Sequence, residues 1–284
     1  MLSYAFMQRA LIVGFLLGLI IPLMGVVVVN RHTSTIGDAL SHASLAGIGL
    51  GLLTGMAPLA GSILMTVAGA FAIEFVRYRF PKNGDLATAM VMSAGVGLAS
   101  LFSDLVPTAM KFESYLFGSI LTISQEEVIF SVAISLMVFV LFFSLYYPLL
   151  YLSVDPNGAR LTGMPTGLFD ALFTALLAVT IAIAARTIGA LMVSSLMILP
   201  VATALFFARS YRETVFLSMG FGVFLVIAGL VASYSLGLKP GGAIVVIGIV
   251  LFGLAWIISA TLRQRPMPVE ETMGPVTDVF ESDK

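Results

Sequence analysis

The chain has 284 residues, a formal net charge of −1, no cysteine, and 59% hydrophobic against 10% charged residues. A water-soluble domain carries about 25% charged residues, so this chain has too little polar surface to face water all round, and lipid is left as its solvent. The near-zero net charge gives no footprint for nucleic acid. The missing cysteines exclude a disulfide framework and a thiolate metal site.

In hydrocarbon every backbone polar group must be satisfied internally, which leaves helices or a closed barrel. The apolar runs here are about 20 residues long, the length of a helical span and not of the alternating strands of a barrel. The expected fold class is therefore an all-α, polytopic bundle of about nine spans, or eight if one segment is re-entrant. In chain order the expected spans cover residues 9–29, 35–54, 58–79, 86–106, 127–150, 166–186, 189–208, 214–236 and 241–262. The first is too long for the apolar core of a signal peptide and lacks a small-x-small cleavage site, so it is expected to be retained. Very short connections, such as Gly55-Met56-Ala57 and the turn around residues 186–189, imply antiparallel neighbours in one membrane domain over residues 1–265.

The second span opens with the most informative stretch, Gly37-Asp38-Ala39-Leu40-Ser41-His42. Asp38 and His42 are four residues apart, so on a helix they share one face, with Ser41 and Leu45 flanking the stripe. A carboxylate oxygen and an imidazole nitrogen suit Zn²⁺, and equally Mn²⁺ or Fe²⁺. Charged groups inside spans usually face a cavity or the bundle interior and serve a function. The competing reading makes Asp38 a helix N-terminal anion and His42 a hydrogen-bonding group in the packed bundle. At 1.5 Å per residue, His42 is expected only about 10 Å from the start of its span.

The other acids in the spans carry weaker signals. Glu74 in the third span lies near Arg77 and suits a paired structural role, Asp104 in the fourth could line an entrance, and Asp170 in the sixth suits a helix terminus. His32 sits beside Arg31 in a loop and is expected to face water. Between the fifth and sixth spans the stretch 153–165 is polar, with Pro156, Gly158, Gly163 and Pro165 bracketing a short possible helix over residues 158–162. The final stretch, 266–284, holds three prolines and five acids and is expected to be a disordered cytoplasmic tail.

Orientation follows from the cations. With the loop after the first span inside, Arg31, Arg77, Arg79, Lys82, Arg160, Arg209, Arg212, Arg263, Arg265 and Lys284 fall on the cytoplasmic side, while Arg9, Lys111, Arg186 and Lys239 fall outside. That asymmetry obeys the positive-inside rule and places the N-terminus outside and the C-terminus inside. There is no G-x-x-x-x-G-K-[ST] phosphate loop, no H-E-x-x-H and no G-x-S-x-G. The chain thus lacks an ATP engine and catalytic residues of those kinds, and it is expected to be a transport component and not an enzyme.

Four stretches together resemble the membrane permeases of bacterial metal-ion ABC importers. They are Gly37-Asp38 through Ala46-Gly47, then Tyr115-Leu116-Phe117-Gly118-Ser119-Ile120-Leu121, then Asp155-Pro156 through Ala159 with Gly163-Met164-Pro165, then Arg186-Thr187-Ile188-Gly189 through Pro200-Val201-Ala202-Thr203-Ala204. The resemblance implies a type II ABC importer-like bundle in the bacterial cytoplasmic membrane. It implies that two copies form the path, with cytoplasmic ABC ATPase subunits below and an extracytoplasmic metal-binding protein above. It makes Asp38 and His42 the metal-coordinating pair, and it makes Asp155, Pro156, Ala159, Arg160 and Gly163 part of the segment that docks on the ATPase. No covalent cofactor is expected; the metal is the transported substrate. The wording His42-Ala-Ser-Leu-Ala-Gly47, with alanine where manganese and iron relatives more often carry proline, looks most like zinc permeases. A manganese or iron permease, and an ion-coupled secondary carrier, remain the alternatives.

Overall fold

A computed structural model describes residues 5–80, 84–106, 115–118 and 125–263. The expected tail at 266–284, Arg265, Lys82, Lys111 and the stretch 119–121 lie outside them. The described helices are α1 (Ala5–Asn30), α2 (Ile36–Thr54), α3 (Pro58–Arg79), α4 (Gly84–Leu105), α5 (Gln125–Ser144), α6 (Tyr146–Val154), α7 (Pro156–Leu161), α8 (Thr166–Ala184), α9 (Val193–Ala204), α10 (Tyr211–Leu236) and α11 (Pro240–Arg263). The all-helical bundle expected from the apolar runs is the fold observed.

Local chemistry explains the boundaries. Gly55, at φ 73°, closes α2 in the left-handed conformation that suits glycine, and Pro58 opens α3. The Ser210 hydroxyl accepts from the Glu213 N–H at 3.2 Å, and the Glu213 carboxylate accepts from the Arg209 N–H at 2.6 Å. This pairing satisfies donors that α10 would otherwise leave bare at its start. The expected fifth span, 127–150, is two helices, because Leu145 leaves helical geometry (φ −94°, ψ 9°) and α6 begins afresh with Pro148 in its first turn.

Among the described residues eight helical stretches are long and apolar enough to cross a membrane, and residues 166–204 form one of them, a run of 39 residues. Helical hydrogen bonding runs on through the turn expected at residues 186–189, and the chain reverses inside the run, as the expected sixth and seventh spans require. Asp170 pairs with Arg31 just past the end of α1. Thr187 and Ile188 line a cavity with Ala10 and Gly14 near its other end, and the Met197 carbonyl returns to meet Gly25. The turn is a π-helical segment, Ala185–Gly189, followed by a 3₁₀ segment, Ala190–Met192. Its pivot is Gly189, at φ 108°, a conformation open to glycine and costly for other residues. The turn expected around residues 186–189 is thus present, made in continuous helical hydrogen bonding and not in a loop.

Packing sorts the helices by their neighbours. α2 is the least apolar of the eight spans, with mean hydropathy 1.3, yet 72% of its window is buried. It is surrounded by protein instead of lipid. Small residues allow the approach: a β-carbon on Gly47 would sit 2.3 Å from the Gly61 carbonyl oxygen, so α2 and α3 touch backbone to backbone. Beside them the Ser44 and Ser62 hydroxyls share a 2.8 Å hydrogen bond, and Ser62 donates to the Ala182 carbonyl of α8 at 3.3 Å. On the other side α1 and α10 run antiparallel, with Gly14 against Val226 and Gly18 against Val223. By contrast α4 and α5 bury 22% of their windows and present large apolar side chains such as Leu101 and Phe130 outward, as a lipid-facing surface does.

Candidate metal-transit site

The site is built on the first two turns of α2. Every residue from Ile36 to Gly49 is buried except Asp38 and His42, which are half-buried. The two side chains expected to share a face are therefore the two openings in the enclosed stretch Ile36–Gly49. Asp38 lies in the first turn, where the partial positive charge of the helix end favours an anion. Its Oδ1 accepts a hydrogen bond from the Ser194 hydroxyl of α9 at 2.5 Å.

The depth expected from the sequence needs correcting. A β-carbon on Gly95 would lie 2.8 Å from the His42 carbonyl carbon and 3.1 Å from its Cβ, and Gly95 is the twelfth of the 22 residues of α4. His42 is thus level with the middle of a full spanning helix. The first turn of α2 is itself recessed. Gly37 packs on Met197, whose carbonyl meets Gly25, five residues before the end of α1. At 1.5 Å per residue this recess amounts to about 8 Å. Counting from the start of α2 underestimated the depth because the α1–α2 corner is not at the edge of the bundle.

Among the described residues no group of three or more His, Cys, Asp or Glu side chains could hold a metal. One chain thus brings a carboxylate and an imidazole together on one partly accessible face. Sequence reading missed Ser194 and Gly95. The only signal for Ser194 was a pair of hydroxyls, Ser194-Ser195, in an apolar run. Gly95 sat in a small-residue stretch with Gly97 and could not be singled out.

The expected coupling segment forms the short helix α7, starting two residues earlier than expected. Asp155 Oδ1 accepts the Gly158 N–H at 2.9 Å and caps this helix, and any β-carbon on Gly158 would strike that carboxylate. Ala159 is buried, Pro156 is exposed, Arg160 lies in the last turn, and Gly163 turns the chain at φ 77°. Leu161, an apolar side chain 90% exposed, stands at the end of the helix. Pro156 and Ser153 line a cavity of about 440 Å³ together with Arg31, His32 and Asp170. The segment expected to dock on the ATPase and the corner leading into α2 therefore face one space.

The remaining acids resolve as structural or peripheral. Glu74 accepts from Thr174 at 3.3 Å, Asp170 pairs with Arg31 at 2.9 Å, and Asp104 is exposed. His32 is exposed, as expected, and holds φ 55° at the α1–α2 corner. At the opposite end of the bundle two of the resembling stretches meet. Gly118 (φ 75°) packs on the Ile188 carbonyl and Gly189 on the Gly118 nitrogen. Arg186 pairs with Glu127 at 2.8 Å and lies over the Tyr115 ring at 4.6 Å. Arg186 and Arg31 thus occupy opposite ends, as the loop charges require.

A bundle of helices long and apolar enough to span a membrane, with a partly accessible carboxylate and imidazole on a largely buried helix, marks a multi-pass membrane protein. The chain belongs to the ABC 3 transport family, whose sequence pattern matches residues 3–259. It is 34% identical over 93% of its length, and 100% of the relative's, to a probable metal transport system membrane protein of Treponema pallidum. It is 30% identical over 91% of its length, and 89% of the relative's, to a manganese transport system membrane protein of Halalkalibacterium halodurans. Its fold matches PsaBC from Streptococcus pneumoniae, solved in complex with Fab, with a TM-score of 0.84 and 26% identity over 93% of this chain and 95% of that one. The chain is accordingly a membrane-embedded permease subunit of a bacterial ABC transporter, and the type II importer-like fold expected from its motifs is the one it has.

Proposed function

We propose that this permease carries a divalent metal, zinc above all, into the cytoplasm, and that Asp38 and His42 are the ligands the ion meets in transit. The observation that carries this reading is the isolated accessibility of these two side chains, level with the middle of α4. Transporter sites lie near the bilayer midplane, and conduction needs sites weak enough to release their ion. Two copies of the chain, each contributing Asp38 and His42, would offer four nitrogen and oxygen ligands, the number and type that Zn²⁺ takes.

The power comes from cytoplasmic ABC ATPase subunits docked on residues 155–163, and a metal-binding protein delivers the ion at the Arg186 end. ATP-driven closure moves α7; its packing on α8 and the Asp170–Arg31 pair pass the movement to the α1–α2 corner and so to Asp38. Manganese is the second reading, supported by the name of the Halalkalibacterium relative. In cells dependent on this importer, His42→Ala should abolish zinc uptake while the protein accumulates in the membrane and still co-purifies with its ATPase. Full uptake by that variant at limiting zinc would remove the assignment.

A further inference from the structure

We propose that Ser194 is a positioning residue that sets metal preference, by engaging one of the two carboxylate oxygens of Asp38 so that the other is the stronger ligand for the passing ion. The inference rests on the transit role of Asp38 and adds a determinant of specificity to it. Ser194 is 7% exposed, and its hydroxyl donates to Asp38 Oδ1. The donor is fixed in place from both sides. It lies in the first turn of α9, directly after the Gly189 reversal, and a β-carbon on Gly37 would fall 2.4 Å from the Met197 methyl and 3.4 Å from Ser194 Cβ. Helices α2 and α9 therefore abut closely at Ser194.

The nature of the partner matters as much as its position. Among the described residues Arg31 pairs with Asp170 and Arg186 with Glu127, and neither reaches Asp38. A hydroxyl orients the carboxylate without cancelling its charge, which a guanidinium in the same place would do. With one lone pair of Oδ1 engaged by Ser194, Oδ2 is the oxygen better able to bind a cation, and use of both oxygens together is weakened. A one-oxygen carboxylate beside an imidazole suits the four-coordinate, nitrogen-accepting Zn²⁺. Mn²⁺ favours a larger, oxygen-rich shell and gains more from a carboxylate free to use both oxygens. Loss of an outer partner that orients a metal ligand typically costs about 10–100-fold in affinity.

The test is competitive uptake of zinc and manganese, supplied together, by cells carrying the complete importer with Ser194→Ala, Ser194→Thr or Asp38→Ala in this chain, at matched membrane abundance. Ser194→Ala should lower the zinc-to-manganese uptake ratio about tenfold, and Ser194→Thr, which keeps the hydroxyl, should restore it. An unchanged ratio in the alanine variant, or an equal loss of both metals, overturns the role of Ser194, since a merely structural residue would move both alike. Ser194→Gly is scored in the same way if the alanine variant does not accumulate. Asp38→Ala separates the two levels. If it abolishes uptake of both metals while Ser194→Ala leaves the ratio unchanged, only this inference fails. If it transports normally, the transit site fails and Ser194 with it.

Discussion

Gly95 of α4 lies against the backbone of His42 so closely that a β-carbon would come within 2.8 Å of both the His42 carbonyl carbon and the Ala43 nitrogen. The obstacle is helix backbone, which cannot rotate aside as a flexible side chain could. Gly95→Ala should therefore force α4 outward, cost about 1–3 kcal/mol as overpacking does, and impair uptake by shifting His42. Two residues along, Gly97 has open space at its β-carbon position, so Gly97→Ala is the matched control. Thermal unfolding in detergent and metal uptake check both; equal behaviour of the two variants would strip the contact of its importance.

Gly189 makes a second steric prediction at the other end of the bundle. Its φ of 108° and a β-carbon position 2.4 Å from the Gly118 nitrogen leave no substitution unstrained. Gly189→Ala should destabilise the protein by about 1–3 kcal/mol and lower its accumulation. Gly220→Ala, in α10 where nothing lies within 4 Å, should be neutral or slightly stabilising.

Arg31 and Asp170 join the α1–α2 corner to α8 at 2.9 Å, with Arg31 18% and Asp170 31% exposed, and the Arg31 guanidinium also lies 5.1 Å over Phe173. Removing the acid strands a cation that is mostly buried. Asp170→Ala should cost about 1–3 kcal/mol, less than a fully buried pair would, because solvent screens part of the charge. The exchange Arg31→Asp with Asp170→Arg should recover part of that loss, short of all of it because the stacking on Phe173 goes with the guanidinium. A double-mutant cycle on thermal unfolding measures the coupling.

Leu161 separates docking from stability. At 90% exposed it supports nothing within this chain, so Leu161→Asp should leave unfolding within about 0.5 kcal/mol of the parent, as surface changes do. The same variant should lose its ATPase partner on co-purification. Retention of the partner would place the docking contacts elsewhere.

Much of this was legible in the chain itself. A shortage of charge together with runs of spanning length leaves helices in lipid as the physical solution, and the four-residue spacing of Asp38 and His42 puts them on one helical face in any context. Gly55 and Pro58 announced a turn through backbone conformations that belong to those residue types. The cations Arg31 and Arg186 segregate to opposite ends because charge does not cross the bilayer freely. These properties are local, or follow from composition, and need no knowledge of neighbours.

The tertiary structure decided what depends on residues distant in sequence. The turn expected around residues 186–189 is made inside a helical run of 39 residues, and that form shows only when Asp170, Ile188 and Met197 are placed along α1. The depth of His42 was misjudged because it is set by Gly95 on α4 and by the recessed α1–α2 corner, not by counting from the start of its own helix. The hydroxyl on Asp38 comes from a residue 156 positions away. Periodicity reports which side of a helix faces inward. Which atoms meet there depends on how closely the helices approach, and glycines far apart in the chain set that distance.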